Sequence, residues 1–324
     1  MLVGVASRPF TSGETAVNTG LKITAYAAAL AAAFGTAYGV GKGADPVFDP
    51  APQHAGQHPA QKEGEREGVG GDGHGGHQEG AGAAEKGAAA QGLEISEGGY
   101  TLALETPAVT AGDRAEIRFA IKDDHGDNVT GYRREHGKEL HFILASRDLT
   151  TFRHLHPVME ADGTWSARAE LPAAGGYRAF ADFTPAGKGS TNHTLGADLA
   201  VAGAFRPAEM PPVRTVAEVD GYRVALDGAL RAGRAGELAL TVSKGGRPVT
   251  DLQPYLGAYG HLVALRSGDL AYLHVHPNEG GPGPEVSFTA TAPSAGTYRL
   301  FLDFQHEGKV RTASFTVEVA AADH

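Results

Sequence analysis

An internal duplication constrains this chain more than any other feature. Residues 99–104 read GYTLAL and residues 221–226 read GYRVAL. TAGDRAEIRFAIKDDHGDNVT (110–130) matches RAGRAGELALTVSKGGRPVT (231–250), and HFILASRDLTTFRHLHP (141–157) matches HLVALRSGDLAYLHVHP (261–277) without a gap. GGYRAFADF (175–183) then matches GTYRLFLDF (296–304), and the offset between copies stays at 120 to 122 residues. Such constant spacing marks a tandem repeat of one domain. Its copies occupy residues 96–204 and 214–320, joined by a Pro-rich linker at 205–213.

Each copy reads as all-β. Short runs alternate apolar and polar residues between turn signals such as Ala111-Gly112-Asp113, Ala161-Asp162-Gly163 and Ala174-Gly175-Gly176. Beyond residue 42 no helical period is sustained. About seven strands per copy predict two tandem immunoglobulin-like antiparallel β-sandwiches. In GGYRAFADF, Tyr177, Ala179, Ala181 and Phe183 share the core face, while Arg178, Phe180 and Asp182 share the other. Tyr298, Leu300, Leu302 and Phe304 form the equivalent core face of the second copy.

Ahead of the repeat, residues 23–41 run without a charge between Lys22 and Lys42. As a helix they measure roughly 28 Å, close to the thickness of a bilayer core. They predict a single-pass transmembrane anchor, with a cleaved signal peptide as the other outcome. Residues 1–22 are then a cytoplasmic tail, and everything after residue 42 is extracytoplasmic. Residues 42–95 are rich in Gly, Ala and His, including His54, His58, His74 and His77. With so little apolar surface to bury, this stretch is expected to be a disordered tether.

The chemistry-bearing pattern is His-x12-His-x-His-Pro, present in both copies as His141, His154, His156 and His261, His274, His276. Folding each segment about its centre sets His141 across from His156 and His261 across from His276. His154 and His274 become diagonal neighbours on the same face. Three imidazoles then converge within about 5–8 Å in each copy, on a broad and outward hairpin face. That is a ligand set for copper(II) or zinc. Asp182 and Asp303 are candidate fourth ligands, lying outward on a later strand. Met159 is replaced by Glu279 in copy two, which argues against a shared thioether ligand. His125, His136, His193 and His306 lack such a pattern and are expected at the surface.

The chain has no Cys, so thiolate sites and disulfides are excluded, and its net charge of −10 argues against nucleic acid as a partner. No G-x-S-x-G elbow, P-loop or H-E-x-x-H occurs, so binding is expected rather than catalysis. The expected partners are the membrane, through the N-terminal helix, a metal ion and an envelope protein. A second reading stays open: a non-catalytic adhesion or assembly module in which the His residues form structural His–Asp networks.

The string YLGAYGHLVALRSGDLAYLHVHP, followed by GTYRLFLDFQHEGKVRTASFTV, resembles a family of membrane-anchored secreted proteins of actinobacteria. Those proteins have an N-terminal anchor and a Gly/His-rich spacer before similar β-domains. Each domain is also similar to YtkA-like domains and, more distantly, to CopC-type immunoglobulin-like domains. The resemblance covers about residues 96–320, and its CopC side implies extracytoplasmic copper handling.

Overall fold

The computed structural model describes residues 90–273 and 275–322, with His276 described through its backbone only. The expected tail, the anchor at 23–41 and most of the tether lie outside these residues. Among the described residues there is no helix, and hence none long and apolar enough to cross a membrane.

Each copy folds as two facing sheets, antiparallel except where Ala108–Thr110 runs parallel to His193–Ala202. In the first copy one sheet runs Ser96–Glu97, Tyr100–Leu104, Arg114–Lys122, Thr164–Glu170, Val158–Met159. The other runs Ala108–Thr110, His193–Ala202, Gly175–Pro185, Leu140–Ser146, Phe152–Leu155, with Tyr132–Arg133 paired to Gly175–Pro185. The second copy repeats the plan. Val216–Val219, Tyr222–Asp227, Ala235–Lys244, Glu285–Thr291 and Val275–Pro277 form one sheet, and Tyr272–Leu273, His261–Arg266, Gly296–His306 and Lys309–Val319 the other.

Alternation builds the two cores as the sequence predicts. Phe119, Phe142, Trp165, Tyr177 and Phe183 fill the first, and Tyr222, Phe288, Tyr298, Phe304 and Phe315 the second. Tyr177 donates its hydroxyl to the Ala173 carbonyl at 2.9 Å, and Tyr298 does the same to Ser294 at 3.0 Å. These matching corners satisfy a buried phenol in each copy.

A third core joins the copies. Ile143, Ala145, Leu149, Phe152 and Phe180 pack against Val263, Leu265, Leu270, Tyr272 and Phe301. These residues lie on the faces that alternation alone marks as outward. Phe152 stacks on Phe301 at 4.1 Å between ring centres, and Phe180 packs on Tyr272 at 5.6 Å. Because Phe152 matches Tyr272 and Phe180 matches Phe301 in the repeat, the seam is nearly two-fold symmetric. Sealing these aromatic faces removes apolar surface from water, which makes the two sandwiches one packed unit.

The last tether residues are also built into this unit, not left disordered. The Gln91 carbonyl accepts from the Tyr272 N–H at 2.8 Å, and the Gly92 N–H donates to the Thr194 carbonyl at 2.9 Å. Backbone pairing to both copies offsets what the segment's composition lacks.

Candidate metal centre

The hairpin of copy one pairs Phe142 with Leu155, Ile143 with His154 and Leu144 with Arg153. Extended one step further, this register sets His141 beside His156. The ladder stops at Leu155, however, and Val158–Met159 joins the opposite sheet. Pro157 cannot donate a ladder hydrogen bond, so His156 sits in the crossing between sheets. The three rings stay together there, with centres 5.2 Å apart for His141 and His154, 5.5 Å for His141 and His156, and 4.9 Å for His154 and His156. One nitrogen from each lies within 4.8 Å of the others.

Copy two starts its hairpin in the same register, with Ala264 opposite Leu273 and Leu265 opposite Tyr272. Its chain then leaves for the other sheet sooner. His276 pairs with Thr289 and not with His261, which corrects the expected pairing. His274 and the His276 side chain lie outside what the structure describes.

What copy two brings to the triad is different. The His261 ring lies 6.3 Å from those of His141 and His154. Asp303, paired in the ladder with His261, turns its carboxylate across the seam to His154 Nδ1 at 2.8 Å. Asp182, the matching residue opposite His141, instead accepts from Asn192 Nδ2 at 2.7 Å and faces the Tyr272 hydroxyl at 3.5 Å. The site is therefore not a broad outward face. His141 and His261 are each 8% exposed, because the aromatic seam closes over them.

The hydrogen-bond partners fix the tautomers. His141 Nε2 lies 3.2 Å from the Glu135 carbonyl, and His154 Nδ1 lies against the Asp303 carboxylate. Both oxygens only accept, so both nitrogens carry hydrogens. The other nitrogen of each ring is then turned inward. Those two, His141 Nδ1 and His154 Nε2, face each other at 3.0 Å. That spacing is a hydrogen bond when one of the two carries a proton, and a chelating pair when an ion takes the proton's place. A third nitrogen, His156 Nε2, is buried and has no hydrogen-bond partner. Nitrogens sharing a tetrahedral zinc at about 2.0–2.1 Å would sit about 3.3 Å apart, close to the 3.0 Å between His141 and His154 and inside the 4.8 Å that bounds all three.

Burial holds His141, His156 and His261 neutral. It pushes His156 down to about 3 and His261 down to about 4, with the neighbouring His154 adding to both shifts. His141 is also lowered, first by burial and then by His154. A neutral imidazole is the form that ligates.

Two supports escape sequence reasoning. The His261 Nε2–H donates to the Tyr255 carbonyl at 2.8 Å, as His141 does to Glu135. In both copies that carbonyl stands six residues ahead of the histidine, on a turn whose two central residues have positive φ. His136 and Gly137 have φ of 50° and 75°, and Leu256 and Gly257 have 55° and 80°. The matched spacing was the available signal. His136 is exposed as expected, yet its ring packs on His261 at 5.2 Å. His193 is half-buried against Tyr100 and Phe183. His306 is not at the surface either. It is buried between the Tyr222 hydroxyl at 2.7 Å and Asp251 at 3.0 Å, a polar chain that keeps its ring satisfied.

The domain of unknown function DUF8832 matches the chain twice, at residues 94–198 and 217–321. No curated protein matches it by sequence. Similar solved structures include a DUF4426 family protein from Pseudomonas aeruginosa, 12% identical with a TM-score of 0.26, covering 34% of this chain and 100% of that one. The Escherichia coli adhesin FdeC is 17% identical with a TM-score of 0.23, covering 70% of this chain and 65% of its own. InvD of Yersinia pseudotuberculosis is 12% identical with a TM-score of 0.24, covering 70% and 59%. The chain thus spans less than two thirds of the length of FdeC or InvD.

Proposed function

The chain belongs to the DUF8832 family, and we propose that its paired domains bind one transition-metal ion, copper(II) or zinc, in the seam between them. The ion would sit among His141, His154 and His156, with His261 as the donor from the second copy. The observation that carries this is the convergence of three imidazoles, with His141 Nδ1 and His154 Nε2 3.0 Å apart beside a buried, unpartnered His156 Nε2. Asp303 would act one shell out, orienting His154 and raising its basicity, as carboxylates do behind metal-bound imidazoles. With an anchor at 23–41, the site would stand outside the membrane and serve to hold or buffer the ion at the cell envelope. Imidazole donors suit copper(II) as well as zinc, and copper(II) heads the affinity order, so it is the first ion to try.

A second reading is supported by the same His154–Asp303 bond, which bridges the copies at 2.8 Å. Here the imidazoles are a structural network that locks an adhesion or assembly module together. Metal analysis and titration of the purified chain separate the two. Tight uptake of one ion, lost in His156→Ala, supports metal binding. No uptake at micromolar copper or zinc overturns it.

A further inference from the structure

The duplication supplies an internal control at a second location, a groove on copy two away from the histidines. Arg178 and Arg299 occupy equivalent positions in GGYRAF and GTYRLF, and both are buried, at 8% and 5% exposure. Arg178 is fully compensated. Its Nη1 donates to the Asp198 carboxylate at 3.0 Å, its Nε to the Gly92 carbonyl at 2.8 Å, and its Nη2 to the carbonyls of Leu93 and Gly196 at 2.6 and 3.1 Å.

Arg299 has none of these. The ladder sets Thr316 opposite Arg299 where copy one sets Asp198 opposite Arg178. Ser314 stands where copy one has Gly196, a position at which a Cβ would come within 2.1 Å of the Gly92 carbonyl oxygen. Copy two therefore cannot seat a segment as copy one seats Gly92. Its linker passes further along, with the Arg214 N–H on the Thr316 carbonyl at 3.0 Å and the Thr316 hydroxyl on the Pro211 carbonyl at 2.7 Å. Arg299 is left with the hydroxyls of Thr316 at 2.9 Å and Ser314 at 3.1 Å, and a long contact to the Leu149 carbonyl at 3.4 Å. A guanidinium has five N–H donors, so two remain free.

Beside it opens a groove of about 770 Å³ lined by Arg299, Arg214, Ser314 and Thr316. Among the described residues neither arginine has a carboxylate partner, and the one acid on the rim, Glu218, is exposed. A buried guanidinium without a counter-charge is costly, and a planar carboxylate matches its fork.

We propose that this groove is a carboxylate-binding site, in which Arg299, helped by Arg214 and the Ser314 hydroxyl, takes from a ligand the carboxylate that Asp198 supplies internally in copy one. The site does not depend on the metal centre. It is tested by calorimetric titration of the full chain, stripped of metal with EDTA, using succinate and the peptide acetyl-Glu-Glu-Glu-amide. One equivalent should bind. Tighter binding of the peptide identifies a protein partner, and tighter binding of succinate a free small acid. Thr316→Asp should restore the internal carboxylate, keep or raise the melting temperature, and weaken binding at least roughly tenfold. Arg214→Ala, at an exposed position, should weaken it severalfold. Absence of binding by both probes up to about 10 mM overturns the proposal. So does affinity unchanged in both variants, or inorganic phosphate binding more tightly than either carboxylate.

Discussion

His154 of the first copy donates its Nδ1 hydrogen to Asp303 of the second across 2.8 Å, and both side chains are only 5% exposed. The bond ties one copy's hairpin to the other's central strand. It also turns His154 Nε2 toward His141 Nδ1, 3.0 Å away. A single contact thus links the packing of the seam to the donor set of the site.

Removing that carboxylate should be felt in both. Asp303→Ala leaves a buried N–H unpaired, and thermal denaturation should show a loss of about 1–3 kcal/mol. Loss of the outer-shell partner should also weaken metal binding roughly 10- to 100-fold, read by competition with a chelating dye. Reduced stability with unchanged metal affinity would leave Asp303 a purely structural role.

The seam itself is testable apart from the histidines. Phe152 stacks on Phe301 at 4.1 Å with the rings 5° from parallel. Phe152→Ala should cost about 3–5 kcal/mol if the seam is as tightly packed as a core. Calorimetry should then show the single transition of the parent splitting into two, one per sandwich. A variant that melts as the parent does would mean the copies are joined only loosely.

How far the sequence reaches is clearest at Phe180 and His276. Period-two alternation sorted Tyr177, Ala179 and Ala181 into the core correctly, because each sandwich buries one face of each strand. The same rule assigned Phe180 outward, and in an isolated sandwich it would be. Nothing local states that a second copy covers that face, although a Phe at both equivalent positions hinted at it. The hairpin centre gave the right register in both copies, since register follows from turn position. It could not give the ladder's length. His276 was lost because its strand changes sheets three residues after Tyr272–Leu273 begins, a choice made by tertiary packing. The approach of Asp303 to His154 is 149 residues long-range and has no local signature.

Acid should open the site from an unusual direction. His156 and His261 are held down to about 3 and about 4, against an ordinary value of about 6.5. The unfolded chain therefore binds these protons first, so stability is intact above about pH 6.5 and falls as pH drops from there toward about 4. Each group contributes up to about 1.4 kcal/mol per pH unit within that window. Melting temperatures of the metal-free chain should decline across it, and His156→Ala should flatten the slope. Proton competition with bound metal should likewise set in nearer pH 4 than pH 6.5. A flat stability profile between those values would mean the rings are not buried neutral.

Stoichiometry gives the sharpest outcome. Duplication alone suggests one ion per copy, yet the triad of copy one already faces His261 and draws Asp303 from copy two. A shared seam predicts one tight equivalent per chain. Alanine at His141, His154 or His156 should abolish it, since each removes one of three donors. His261→Ala, whose ring stands 6.3 Å from two of them, should lower affinity and alter the copper(II) electron paramagnetic resonance spectrum while keeping the equivalent. His54, His58, His74 and His77 are a separate source of weak ions, so their replacement by Ala should leave the tight equivalent untouched. Two equal tight equivalents, only one of them sensitive to His154→Ala, would restore one site per copy and remove the seam from the mechanism.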